Sequence, residues 1–83
     1  MRGKNNRRKE LRKRFEVYMQ EKILREMLSD IGEDGVLADV PEDDIPAVVM
    51  FELRQRYAQI ADHVPKYVIP EWLLDAQGKL RSA

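Results

Sequence analysis

The sequence predicts a small all-α domain, in which two long helices form a hairpin and a short C-terminal helix completes a three-helix core. Apolar residues recur at helical spacing in two long segments, from Leu11 to Ile31 and from Ile45 to Val64. Glycine and proline residues stand between and after these segments, where helices start and stop. The chain has 83 residues, which is enough for one small domain and too few for two.

The first helix is predicted to begin at an Asn5 or Asn6 N-cap and to run to about Ser29, with Gly32 and Gly35 ending it. Its apolar residues do not keep to one narrow stripe but form an i+4 series and a second flank. The two sets are Leu11, Phe15, Met19, Ile23, Met27 and Ile31, and Val17, Leu24 and Leu28. Two explanations stay open: the chain itself covers the helix on two sides, or one flank docks on a second protomer or another partner.

The second helix is predicted from Ile45 to Val64, and the rest of the domain is organised around it. Pro46 suits the first turn because its missing N–H would have no partner there in any case. Asp43 or Asp44 is placed to cap this turn, and Pro65 ends the helix.

One side of the second helix carries an apolar stripe about 120° wide, which is typical of a core-facing surface. The stripe consists of Val49, Met50, Leu53, Tyr57, Ile60, Ala61 and Val64. In the predicted hairpin, Met50, Leu53, Tyr57 and Ile60 face Phe15, Met19, Ile23 and Met27. Phe51 and Val48 fall off the stripe, so we expect them to pack under the C-terminal tail or to form part of an interface.

The remaining segments are predicted from their cap and turn residues. Asp39 to Glu42 resembles a capping box ahead of a short turn at 40–44. Residues 66–69 are expected to be extended, followed by a last helix from Pro70 to about Gln77 with Gly78 just beyond its end. The apolar residues expected to fold this tail back onto the long helices are Tyr67, Trp72, Leu73 and Leu74.

The net charge of zero conceals a strongly dipolar chain. Residues 1–14, the basic arm, hold eight Lys or Arg residues and one Glu. Residues 29–44, the acidic connector, hold seven Asp or Glu residues and no Lys or Arg. We therefore divide the chain into the basic arm, continuous with the first helix, and a single helical domain over residues 15–83 that includes the acidic connector.

The basic arm is the candidate nucleic-acid-binding element. Its cations stand at nearly every angle around the predicted helix, as suits a helix sunk in a groove lined by phosphates rather than one lying on a flat membrane. They also oppose the helix dipole at the N-terminus, which a chain selected only for stability would avoid. The candidate residues are Arg7, Arg8, Lys9, Arg12, Lys13 and Arg14. An acidic protein surface or a plain solvated tail remain the alternatives, and the pattern does not distinguish RNA from DNA.

The acidic connector is the candidate protein-binding element. Its proposed partner-binding residues are Glu33, Asp34, Asp43 and Asp44, together with Phe51 on the second helix. A continuous helix from about Arg8 to Gly32 rises roughly 35 Å, several Debye lengths, so the connector cannot neutralise the arm of its own chain. An antiparallel or head-to-tail homodimer would bring the two together. The structural alternative is that the acids only lead favourably into the second helix.

Several function classes are disfavoured. The chain has no cysteine, no apolar stretch after its basic N-terminus that would make a secretory signal, and no apolar run of membrane-spanning length. We therefore expect a cytoplasmic protein. The single histidine, His63, falls on the polar side of the second helix, and no motif for a catalytic site, a metal or a cofactor is present. We expect a protein that is not an enzyme and uses no cofactor.

These observations favour a small accessory or regulatory protein that binds nucleic acid, or a nucleoprotein machine, through its basic N-terminal helix. The competing hypothesis is a protein-interaction module or inhibitor that acts on a larger enzyme through the acidic connector and exposed apolar positions. The small size and high charge of the protein would also suit an accessory factor of a phage or mobile element.

Overall fold

A computed structural model describes the backbone of residues 2–81 and the side chains of residues 7–81. Over that range the chain is mostly helical, and its only β-type pairing is one isolated antiparallel bridge between Leu74 and Leu80. The all-α prediction is therefore confirmed. Two α-helices, α1 (Arg2–Glu33) and α2 (Ile45–Ile60), account for most of the structure. Three single-turn 3-10 helices follow α1 or α2: Glu42–Asp44, Lys66–Val68 and Glu71–Leu73.

Helix α1 is longer at both ends than the sequence predicted. It begins at Arg2, so Asn5 and Asn6 lie inside the helix instead of capping it. The cap prediction was wrong because a side-chain cap is worth only about 1 kcal/mol, and Arg and Lys continue a helix at little cost. At the other end Gly32 is still helical, and Gly35 turns the chain with a φ of +77°. Only the second of the two glycines therefore acts as a helix terminator.

The acidic connector is held to the domain by an apolar residue and by backbone turns. Leu37 is partly buried and packs against the core. The capping box predicted from Asp39 to Glu42 does not form, since the first 3-10 turn has no side-chain cap. Pro41, which has no side-chain acceptor, occupies the cap position, and the turn closes through a 2.9 Å hydrogen bond from the Asp44 N–H to the Pro41 carbonyl.

Helix α2 begins at the predicted residue but ends at Ile60, one turn before Val64. The residue before a proline is disfavoured in the helical region, so the chain must leave the helix before Pro65. Asp44 holds the predicted N-cap position, yet its side chain accepts no capping hydrogen bond. The position of the cap was therefore predicted correctly and its chemistry was not.

The core lies where the C-terminal half of α1, α2 and the tail meet. Its buried apolar residues are Ile31, Leu53, Tyr57, Val68, Ile69 and Leu73. The other residues of the α2 stripe pack against this cluster, as do Ile23, Leu24 and Met27 of α1. The predicted packing of Phe15 and Met19 against α2 was wrong. Phe15 is 55% exposed, and Met19 is only half-buried and lies outside the cluster.

The C-terminal helix predicted over residues 70–77 was also wrong. A single 3-10 turn, Glu71–Leu73, stands in its place. The Asp75 carboxylate accepts hydrogen bonds from the N–H groups of Gln77 and Lys79, at 2.9 and 3.0 Å, which offers the backbone an alternative to the helix. Gly78, with a φ of +77°, then reverses the chain.

The tail folds back onto the helices as predicted, although by different local structure. Residues 66–68 form a 3-10 turn, and only Ile69 has the expected extended conformation. Leu73 is completely buried, and Tyr67 and Leu74 pack against the core. Trp72 was expected to join them, but its side chain is 46% exposed. A single 3-10 turn therefore buries only one of its two large apolar residues.

Candidate functional site

The N-terminal half of α1 projects from the domain. Among the described apolar side chains of α1, none before Ile23 packs against the core cluster. Closer to the N-terminus than Ile23, α1 is joined to the tail by a hydrogen bond that Gln20 Nε2 donates to the Tyr67 carbonyl, at 2.9 Å. The molecule measures 58 Å along its long axis and 26 and 24 Å across. At about 1.5 Å per residue, the turns from Arg7 to Gln20 extend roughly 20 Å.

This projection displays the cations of the basic arm. All six predicted nucleic-acid-binding residues, Arg7, Arg8, Lys9, Arg12, Lys13 and Arg14, are exposed on it. Among residues 7–81, the ion pairs within 4 Å involve only Arg56 of α2, so none of the six is neutralised by a described acid. The side chains of residues 1–6 of the arm lie outside the described part of the chain.

The helix backbone adds to the positive field of these side chains. The first turn of α1 contains no acidic residue. The unpaired N–H groups at a helix N-terminus together carry about half a positive charge, and this charge lies at the same end of α1 as the basic arm. The arrangement is unfavourable for the isolated helix and favourable for binding a polyanion.

The apolar residues that share this projection were not among the predicted site residues. Leu11, Phe15, Val17 and Tyr18 are 56, 55, 48 and 58% exposed. The observed helix lengths explain their exposure, because α2 spans about 24 Å and α1 about 48 Å at 1.5 Å per residue. The lengths predicted from the sequence were nearly equal and gave no such signal. A helix half as long as its neighbour can cover only half of it. Of the two explanations offered for the apolar flanks of α1, partial coverage by its own chain describes the C-terminal half alone.

The proposed partner-binding acids are not equivalent. Arg56 of α2 donates a hydrogen bond to Asp34 at 2.5 Å and lies 3.5 Å from Glu52. Asp34 therefore ties the start of the connector to α2. The hydrogen bond to Asp34 is the main reason that the pKa of Arg56 is raised, which keeps the guanidinium charged.

The other partner-binding candidates remain on the surface. Glu33 ends α1, and Asp43 and Asp44 lie in the 3-10 turn before α2; all three are exposed. They form no ion pair with any of the described residues. Phe51 is 44% exposed on α2 and is not among the residues that pack against the core.

Chemistry-bearing groups are sparse elsewhere. His63, in the turn after α2, is exposed. Within residues 7–81, no three His, Cys, Asp or Glu side chains lie close enough together to hold a metal ion. None of the described helices combines the length and apolar character needed to cross a bilayer.

Comparison with known protein families, curated proteins and solved structures found no match.

Proposed function

We propose that this chain is a small non-catalytic accessory or regulatory protein that binds nucleic acid, or a nucleoprotein machine, through its basic arm. The observation that carries the proposal is the projection of α1, which presents six exposed cations with no acidic partner among the described residues. Since the cations lie on all sides of one helix, they can contact phosphates on both walls of a groove. The helical domain then serves as the carrier from which the arm extends.

Phosphate contact should supply most of the affinity. Lys and Arg side chains that neutralise phosphates release condensed counterions, so the logarithm of the binding constant falls linearly with the logarithm of salt concentration. The slope is about 0.9 per phosphate contact on duplex DNA and about 0.7 on a single strand. Such binding carries little sequence information by itself.

The test is fluorescence anisotropy with a labelled RNA hairpin, duplex DNA and a single strand, each titrated at low and at physiological salt. We expect binding with a steep salt dependence, and the ranking of the three probes identifies the preferred nucleic acid. Absence of binding to all three at low salt would overturn the proposal.

A matched pair of variants locates the contact. Reversing Arg7, Arg8 and Arg12 to Glu should lower the salt slope by about 2 to 3 and weaken binding at every salt concentration. Reversing three exposed cations outside the arm, Lys22, Lys66 and Lys79, changes the net charge equally and should have a much smaller effect. Equal losses in the two variants would mean that net charge, rather than the arm, governs binding.

The second candidate function, a protein-interaction module or inhibitor, is favoured by one observation: Phe51 is 44% exposed on a helix whose other side builds the core. Changing Glu33, Asp43 and Asp44 to amides should then abolish activity toward a protein partner while leaving nucleic-acid binding unchanged. Asp34 is left intact in this variant because its bond to Arg56 holds the connector to α2.

A further inference from the structure

Four exposed charges of α1 form a pattern that inverts about a centre. The centre lies between Val17 and Tyr18, which are 48 and 58% exposed. At two distances outward, an acid stands on one side of the centre and a base stands at the same distance on the other. The symmetric charge pairs are Arg14 with Glu21 and Glu10 with Arg25.

Between residues 10 and 25 the apolar residues of this surface follow the same spacing, whereas farther out Leu28 stands opposite Arg7. Leu11 and Leu24 are equally distant from the centre, outside Val17 and Tyr18. Leu11 is 56% exposed, and Leu24 is half-buried and packs against the core of its own chain. At 100° per residue the charged and apolar members together cover an arc of about 140° of the helix, with a member at every turn. We call this stripe the self-complementary face.

The charges of the self-complementary face are not used within the chain. Glu10, Arg14, Glu21 and Arg25 are all exposed. Each Glu stands four residues before an Arg, yet among residues 7–81 no ion pair within 4 Å joins them. The face therefore offers four charges and the exposed side chains of Leu11, Val17 and Tyr18 to an outside partner.

We propose that the occupant of this face is a second copy of the chain, packed antiparallel with the register centred between residues 17 and 18 of both copies. Running the second helix in the opposite direction places Glu10 beside Arg25 of the other copy and Arg14 beside its Glu21. Two-fold symmetry repeats both pairs, so four ion pairs flank an apolar centre, as in an isologous interface. Val17 of each copy then meets Val17 of the other, and Tyr18 meets Tyr18.

The pattern discriminates against other occupants. A parallel second copy in the same register would set each charge against its own kind, which is destabilising. Nucleic acid and an anionic membrane would both meet the carboxylates of Glu10 and Glu21 within the same stripe. The antiparallel register also brings the positive end of the α1 helix dipole toward the other copy's acidic end, where Asp30 and Glu33 lie.

The association overlaps the proposed nucleic-acid contact at Arg14, which belongs to the self-complementary face, and at Arg7, which lies within its arc. Arg8, Lys9 and Arg12 lie on the opposite side of α1 at 100° per residue. The dimer leaves them exposed and directs its two arms toward opposite ends of the helix pair.

The first test is sedimentation equilibrium of the full chain without nucleic acid. Small interfaces give weak complexes, so the runs should cover about 5 to 500 µM protein. We expect a monomer–dimer equilibrium that weakens as salt rises. An all-positive variant, Glu10→Arg with Glu21→Arg, and an all-negative variant, Arg14→Glu with Arg25→Glu, should each dimerise about 10- to 100-fold more weakly, while their equimolar mixture should associate again.

The second test fixes the direction of the helices. The chain has no cysteine, so single cysteines can be introduced without interference. Chains with Arg14→Cys mixed with chains carrying Glu21→Cys should form an intermolecular disulfide under mild oxidation, because the two positions lie side by side at the middle of the interface. Chains with Arg14→Cys alone should not, since the two copies of that position are about 10 Å apart along the helix pair. Circular dichroism of each variant checks that the helices are intact.

Three results would overturn the proposal: a monomer at every concentration, charge variants that dimerise as well as the unchanged chain, or efficient cross-linking of Arg14→Cys chains to one another. The anisotropy experiments measure a different reaction. A failure to dimerise would therefore not decide the nucleic-acid proposal, which the anisotropy experiments test separately.

Discussion

The hydroxyl of Tyr57 offers a direct test of the core. Tyr57 is 0% exposed, and its hydroxyl oxygen has no hydrogen-bond partner among the described residues. Burying a hydroxyl without a partner costs about 1–3 kcal/mol, part of which returns when the group is removed. We therefore expect Tyr57→Phe to raise the free energy of unfolding by about 0.5–1 kcal/mol. In a domain of this size that corresponds to a gain of roughly 2–8 °C in Tm.

Alkaline pH provides a second readout of the same group. Burial raises the pKa of Tyr57 above its ordinary value of 10.0. Between the unfolded and folded pKa values the unfolded chain has lost a proton that the native chain keeps, so the native state becomes less stable as pH rises. The contribution of the bound Tyr57 proton to the free energy of unfolding is complete below about pH 10 and is lost as pH rises through the folded pKa. Over that range the free energy of unfolding falls by at most about 1.4 kcal/mol per pH unit.

Urea denaturation at pH 7 and from pH 9 to 11 measures both effects. Tyr57→Phe should be more stable than the unchanged chain at pH 7 and should show a shallower alkaline loss. Tyr18→Phe, at a 58% exposed position, is the control and should change neither quantity appreciably. If Tyr57→Phe instead destabilises the protein by more than about 0.5 kcal/mol, the hydroxyl has a partner and the reasoning fails.

Other substitutions test the turns, the tail and the connector. Gly32→Ala should stabilise the protein by up to about 1 kcal/mol, whereas Gly35→Ala, at a φ of +77°, should cost about 1 kcal/mol or more; urea midpoints that move together would contradict this. Leu73→Ala should cost about 2–5 kcal/mol in calorimetry, and Trp72→Ala, 46% exposed, clearly less. Arg56→Met should lower Tm more at low salt than at high salt, because ion pairs to exposed acids are screened; a salt-independent change would argue against this role.

Local sequence patterns determined the elements whose signals agree with one another. The stripe of α2 predicted its core face correctly, and Leu53 and Tyr57 from it are buried. The long periodic segment predicted α1, although not its ends. A side-chain cap stabilises a helix end by about 1 kcal/mol, and this is too little to decide where α1 begins.

The tail shows where local patterns fail. Pro70 and Gly78 mark plausible limits of a helix, but the Asp75 carboxylate captures two backbone N–H groups inside that span. Which of these competing signals prevails depends on the burial of Leu73 in the core that α1 and α2 form. That contact joins residues far apart in the sequence, and no local pattern contains it.

The candidate surfaces divide in the same way. The sequence alone determined that the chain is helical and that its charges are segregated into a basic arm and an acidic connector, since both properties depend on residues close together in the chain. Only the tertiary structure decided that α2 and the tail cover one half of α1, which leaves Phe15 exposed and the arm projecting. It also decided that Asp34 is bound to Arg56 while Glu33 is not. The physical reason is that exposure and ion pairing depend on which distant segments reach a residue, and helix lengths and turns set that reach.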